Sequence, residues 1–143
     1  MRILVFGLPG TGKTTVAKML ARKMGAAHIN ADNVRSIHDD WDMTPAGRER
    51  QCRRMKTLSE LGSGNVVVDF VCPLQEYRDI FDADINVWVN TKEKCRYPTT
   101  NRMFEKPPNP HFAINDYSEI EEVVGCIVEA CQAGKMARSY HES

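Results

Sequence analysis

Gly7-Leu8-Pro9-Gly10-Thr11-Gly12-Lys13-Thr14 stands between a short apolar run, Arg2-Ile3-Leu4-Val5-Phe6, and a stretch of helical periodicity that begins at Lys13. The order strand, glycine-rich turn, helix gives this pattern its meaning. Glycines let successive backbone N–H groups turn inward on a phosphate. The N-terminus of the following helix adds its partial positive charge. In such a loop the lysine, here Lys13, reaches the β- and γ-phosphates of a nucleotide, and the Thr14 hydroxyl holds Mg²⁺. An ordinary glycine turn leaves the Lys-Thr pair unexplained. The expected cofactors are therefore ATP and Mg²⁺, gripped by the loop from Gly7 through Thr15.

Outward from the loop, strands and helices alternate. A helix over about Lys13–Met24 carries Val16, Leu20 and Met24 on one face and stops at Gly25. Ala26–Asn30 reads as a second strand, and Asp32 is placed to cap a helix through about Ser36. Thr44-Pro45 is a cap followed by proline at the first helical position. It opens a helix to Leu61 whose apolar stripe is Cys52, Met55, Leu58 and Leu61. Val66-Val67-Val68-Asp69-Phe70 is apolar on both faces, as a central parallel strand should be. Pro73–Phe81 is a short helix and Ile85–Val89 a fourth strand. Residues 92–110 are polar, basic and proline-rich and read as a long loop or lid. His111–Ile114 is a fifth strand. Ser118-Glu119-Ile120-Glu121 is a capping box for a helix ending at Gly134, and the tail 135–143 is expected to fray. This alternation predicts an α/β, three-layer fold with a mostly parallel sheet of about five strands flanked by helices. In such a sheet ligands bind at the carboxyl ends of the strands.

At 143 residues the chain suits a single domain with a real core. Nineteen basic residues cancel nineteen acidic ones, which gives no general attraction to nucleic acid or to an anionic membrane. No apolar run approaches membrane-spanning length. The five cysteines show no CxxC pair or zinc spacing. They read as free, mostly buried thiols in a reducing compartment. The expectation is a cytoplasmic protein acting on a small-molecule substrate. A homodimer is compatible with these features.

Three further groups carry candidate chemistry. Asp32 and Arg35 lie three residues apart, on one side of a helical turn. Asp32 suits proton acceptance from a substrate hydroxyl or the holding of a magnesium-bound water, and Arg35 suits a bidentate grip on an anion. The plainer alternative is a helix cap and a solvated arginine. On the next helix Arg48 and Gln51 share one face, and Arg50, Arg53 and Arg54 share another. One face suits an anionic substrate and the other a solvated surface. Asp69 ends an apolar strand, either as a carboxylate near the metal or as an acceptor for loop amides. Phe70, Trp41 and Phe104 are either stacking surfaces or core. In the lid, Arg96 and Arg102 are candidates to meet a transferring phosphoryl group.

A switch GTPase would carry Asn-Lys-x-Asp on a late strand; Asn90-Thr91-Lys92-Glu93 does not match. A dinucleotide-binding fold would carry GxGxxG. A small chain with a lid and a second anion-binding helix reads best as a kinase of a small hydroxyl compound. Over roughly residues 3–115 the chain resembles the adenylylsulfate kinases. The resemblance rests on Gly7–Thr15, Asn30-Ala31-Asp32-Asn33-Val34-Arg35, Arg48-x-x-Gln51-x-Arg53-Arg54 and Phe70-Val71-Cys72-Pro73. It implies a P-loop NTPase-like fold and transfer of the ATP γ-phosphoryl to the 3′-hydroxyl of adenylylsulfate, in sulfate assimilation. It implies Lys13 and Asp32 as catalytic groups, Thr14 on the metal, and Arg35, Arg48 and Gln51 on the substrate. The family commonly shows Asp-Gly-Asp-Asn-x-Arg, Asp-Arg-x-x-Asn-x-Arg-Arg and Ser-Pro in these places. Here Asn30, Gly47, Gln51 and Cys72 depart from that pattern, and the lid is shorter. Two other readings are a kinase of another acceptor, such as a polynucleotide 5′-end or a small metabolite, and a non-catalytic nucleotide-binding module.

Overall fold

The computed structural model describes residues 1–142, with side chains described through Gly134. Five strands form one sheet: β1 (Arg2–Phe6), β2 (Ala27–Asn30), β3 (Val66–Phe70), β4 (Ile85–Val89) and β5 (Phe112–Ile114). Their order is β2-β3-β1-β4-β5, and all four pairings are parallel. The helices are α1 (Lys13–Met24), α2 (Ala31–His38), α3 (Pro45–Glu60), α4 (Gln75–Phe81), α5 (Pro98–Met103) and α6 (Ile120–Glu142).

The two-residue period of the strands sorts the core into two layers. From β1, Ile3 and Val5 face α1 and α6, where they meet Val16, Leu20, Val124 and Ile127. Leu4 and Phe6 face the other way, toward Met55 of α3 and Tyr77 and Phe81 of α4. Both faces of β1 and β3 are covered, so these strands are apolar except at Arg2, where β1 begins, and at Asp69. A buried carboxylate at that point lies at the carboxyl end of the sheet, where β1, β2 and β4 also release their chains.

Several boundaries differ from the sequence expectation for identifiable reasons. Asn30, rather than Asp32, caps α2: its Oδ1 accepts from Asn33 N at 3.1 Å, and Asp32 lies inside the first turn. Thr44 caps α3 as expected, accepting from Gly47 N, but Leu61 lies past the helix and is exposed. The capping box forms two residues early. Asp116 accepts from Ser118 N at 2.9 Å while Asn115 N donates to Glu119, and a short 3₁₀ turn leads into α6. The lid is not all loop, because Pro98 sits in the first turn of α5. α6 runs past Gly134, since Lys135-Met136-Ala137-Arg138 are good helix formers. The fraying expected over 135–143 falls outside the described side chains. Cys52, Cys72 and Cys131 are buried; Cys95 is half-buried and Cys126 exposed.

Candidate nucleotide and acceptor site

A cleft of about 810 Å³ opens at the carboxyl ends of the strands, with Lys13, Thr14, Asp32, Arg48, Asp69 and Phe70 in its wall. Its floor is the loop between β1 and α1. Gly12 has φ 98°, a conformation that costs a residue with a Cβ on the order of 1–2 kcal/mol. No described side chain caps α1, and its first turn holds no acidic residue. The orphan N–H donors of that turn are therefore left for an anion. Inside the loop, the Thr11 hydroxyl donates to Leu8 O at 2.8 Å, and Thr91 at the lid base donates to Thr11 O at 2.8 Å. Lys13 Nζ donates to Leu8 O at 2.9 Å. Burial lowers the Lys13 pKa, and the Asp69 and Asp32 carboxylates oppose that shift.

Asp69 is 2% exposed and joins three partners. Its Oδ1 accepts from Asn30 Nδ2 at 3.0 Å and from the Thr14 hydroxyl at 3.3 Å, and its Oδ2 accepts from His28 Nε2. An ionised carboxylate and a hydroxyl are hard oxygen donors of the kind Mg²⁺ prefers. Among the described residues no group of three or more His, Cys, Asp or Glu side chains is gathered for a metal. Asp32 is exposed on the first turn of α2, near enough to Lys13 and Arg35 to act on both electrostatically.

The wall that carries Arg35 and Arg48 is held by arginines. Arg35 is buried, and its Nη1 donates to Asp40 O at 3.0 Å and Asp42 O at 3.3 Å. Arg48 Nε donates to Met43 O at 3.0 Å, and its Nη2 donates to the Thr100 hydroxyl of α5 at 3.1 Å. Burial lowers the pKa of both groups. Gln51 is buried, with Nε2 donating to Ala31 O and Oε1 accepting from Arg54. Arg50 and Arg54 bind the Asp40 carboxylate, while Arg53 pairs with Glu49 on the surface. The helix thus divides as its spacing suggests, with Arg48 and Gln51 toward the cleft. Phe70 lines the cleft and also packs on Phe81, ring centres 5.7 Å apart. Trp41, Met43 and Tyr97 are partly exposed at the rim. Phe104 does not line it; it lies beside the Arg78 guanidinium.

A smaller cleft of about 480 Å³ adjoins the loop, lined by Lys92, Lys94 and Arg96 with Asp32. Arg102 is absent from both linings, and its Nη2 reaches Thr99 instead. Of the two lid cations singled out in the sequence, Arg96 faces the site.

A family model described as an AAA domain matches residues 3–138. The chain belongs to that family. No curated protein sequence matches this AAA domain. Among solved structures it is similar to the Mycobacterium tuberculosis APS kinase CysC, in complex with AMPPNP and APS. The TM-score is 0.78 at 20% identity, covering 92% of this chain and 96% of that one. It is also similar to shikimate kinase from Aquifex aeolicus (TM-score 0.65, 17% identity, 95% and 99% covered). A gluconokinase from Sinorhizobium meliloti is a third (TM-score 0.65, 16% identity, 93% and 96% covered). At these identities the likeness is one of fold, and the AAA domain has the P-loop NTPase-like fold expected of it.

Three residues of the AAA domain escaped the sequence reading. His28 holds Asp69. Tyr117 donates to Gly10 O at 3.0 Å. Arg78 is buried between Phe6 and Phe104 and donates to the carbonyls of Cys72, Pro73 and Glu105. Only His28 left a sequence signal, its position two residues before Asn30 and so on the same face of β2.

Proposed function

We propose that this chain is an ATP-dependent phosphotransferase that passes the γ-phosphoryl group to the hydroxyl of a small acceptor, with adenylylsulfate as that acceptor. One observation carries the reading: a single cleft joins the phosphate loop and its Asp69–Thr14 pair to a wall bearing Asp32 and Arg48. Lys13 and the α1 amides bind the donor phosphates and hold the transferring group in place. Thr14 and Asp69 would hold Mg²⁺, which when bound neutralises phosphate charge. Asp32 accepts the proton of the acceptor hydroxyl as the new O–P bond forms and the bond to the ADP oxygen breaks. Arg48 meets the acceptor's anionic group, and Phe70 and the aromatic rim flank its ring. The motif resemblance to the adenylylsulfate kinases supports the choice of acceptor.

A second reading, a smaller hydroxyl acceptor, is favoured by one feature. Arg35, Arg48 and Gln51 each already donate to a backbone carbonyl, which leaves fewer donors for a large anionic group. ADP release measured with ATP and, in turn, adenylylsulfate, shikimate, gluconate or a 5′-hydroxyl oligonucleotide separates the readings. Turnover dependent on adenylylsulfate alone supports the first. Turnover with another acceptor alone replaces it, and ATP binding without transfer to any acceptor or to water makes the chain a binding module. Asp32→Asn is expected to reduce turnover by about 10²–10⁴-fold with ATP binding retained; equal loss of both would make Asp32 structural.

A further inference from the structure

The phosphate loop's threonine meets a carboxylate whose own orientation is set from the opposite side. Asp69 Oδ1 faces Thr14, and Oδ2 faces away from it, toward His28. A carboxylate oxygen only accepts, so His28 Nε2 carries the hydrogen in that bond. His28 is half-buried on β2, two residues before Asn30 and thus on the same face of the strand. Asn30 stands directly beside Asp69 in the sheet register. Its amide divides between two tasks, Oδ1 capping α2 and Nδ2 donating to Asp69 Oδ1. Two donors from one strand therefore hold both oxygens of one carboxylate. The Thr14 hydroxyl gives its hydrogen to Asp69 and accepts from Asn30 Nδ2 at 3.3 Å, which leaves one lone pair for an ion. Without the His28 bond, Oδ2 loses its partner, and the carboxylate is held through Oδ1 alone by Asn30 and Thr14.

We propose that His28 is a positioning residue for the magnesium–nucleotide complex, fixing the Asp69 carboxylate so that it and the Thr14 hydroxyl present one set of oxygens to the ion. The inference rests on the nucleotide half of the function proposed above and needs no particular acceptor. A partner that orients a metal-binding carboxylate typically contributes 10–100-fold in metal affinity or activity. The test is titration of the protein with a fluorescent ATP analogue, once with excess Mg²⁺ and once with EDTA. His28→Leu removes the donor and is expected to weaken binding about tenfold or more with Mg²⁺ and to leave binding in EDTA unchanged. His28→Gln places an amide N–H near the former Nε2 and is expected to restore most of the Mg²⁺-dependent affinity. His28→Asn, too short to reach Asp69, keeps a polar side chain and serves if the leucine variant fails to fold. Unchanged Mg²⁺-dependent binding in the leucine or asparagine variant overturns the proposal. So does an equal loss with Mg²⁺ and EDTA, which marks a purely structural residue. Failure of the wild-type chain to transfer phosphate to any acceptor, with the Mg²⁺-specific loss intact, sinks the kinase reading and leaves the role of His28 standing.

Discussion

The donor half of the cleft is made of backbone amides and side chains at strand ends; the acceptor half is made of loops that arginines hold by their carbonyls. Asp69 sits on β3, and Lys13 and Thr14 open α1, so all three stand on regular elements. Asp40, Asp42 and Met43 sit on an irregular segment whose shape depends on Arg35, Arg48, Arg50 and Arg54. Rigid elements position chemistry more closely than loops do. Nucleotide binding should therefore tolerate changes in the acceptor half, whereas acceptor binding is exposed to any loss in its arginine scaffold.

The harshest trial of this contrast is Lys13→Ala, expected to lower kcat on the order of 10³-fold and to weaken ATP binding without lowering the melting temperature; steady-state kinetics and a thermal melt measure both. Retained turnover would move the active site off the loop. Next comes Arg48→Ala. Loss of a charge-assisted contact is worth about 1.5–3 kcal/mol, or roughly 10–100-fold in acceptor KM, with KM for ATP unchanged. A larger effect on ATP would reverse the assignment of the two halves. Gly47→Ala is subtler. A Cβ at this position runs into the Asp42 carbonyl oxygen and side chain, so the loop must shift. The expected cost is about 1–3 kcal/mol, seen as a lower melting temperature and weaker acceptor binding with ATP affinity retained. A neutral substitution would show that the loop tolerates a different path.

The mildest trial is pH. The Arg50 hydrogen bonds hold the Asp40 carboxyl well below the usual carboxylate range. A depressed carboxylate stabilises the fold above its unfolded pKa, and that contribution fades as pH falls through the folded value. Emission from neighbouring Trp41 should therefore stay constant from neutral pH down to about pH 4 and change only below that. A transition near pH 6 would point to another group.

The donor half was legible because its determinants are local. A glycine-rich turn, a lysine and a hydroxyl residue lie within one short segment, and the central strands β1 and β3 declare themselves as short apolar runs. The acceptor half was half-legible. The spacing of Arg48 and Gln51 on one face survived folding, but nothing in the spacing says that Arg35 would spend its donors on Asp40 and Asp42. Caps went astray where two suitable residues stood close together, Asn30 against Asp32 and Asp116 against Ser118. Tertiary hydrogen bonding chose between them. His28 acts on a partner far along the chain, and its one local sign is its place on the Asn30 face of β2; Arg78 gives no local sign of its reach to Glu105. The lid helix was masked by the prolines that made its segment read as loop.

The lid is braced almost along its length. Asn101 bonds Cys95 N and O at 2.8 Å each, Thr100 accepts from Arg48, and Glu105 N donates to Pro73 O at 2.8 Å. Arg78 clamps the same corner, bridging Glu105 to the turn after β3. The segment is a lintel over the cleft, with Lys92 and Lys94 ahead of the braced stretch. In the proposed reaction a lid cation would reach the transferring phosphoryl by rotation of a long exposed side chain, on a picosecond-to-nanosecond timescale, without a swing of the braced stretch.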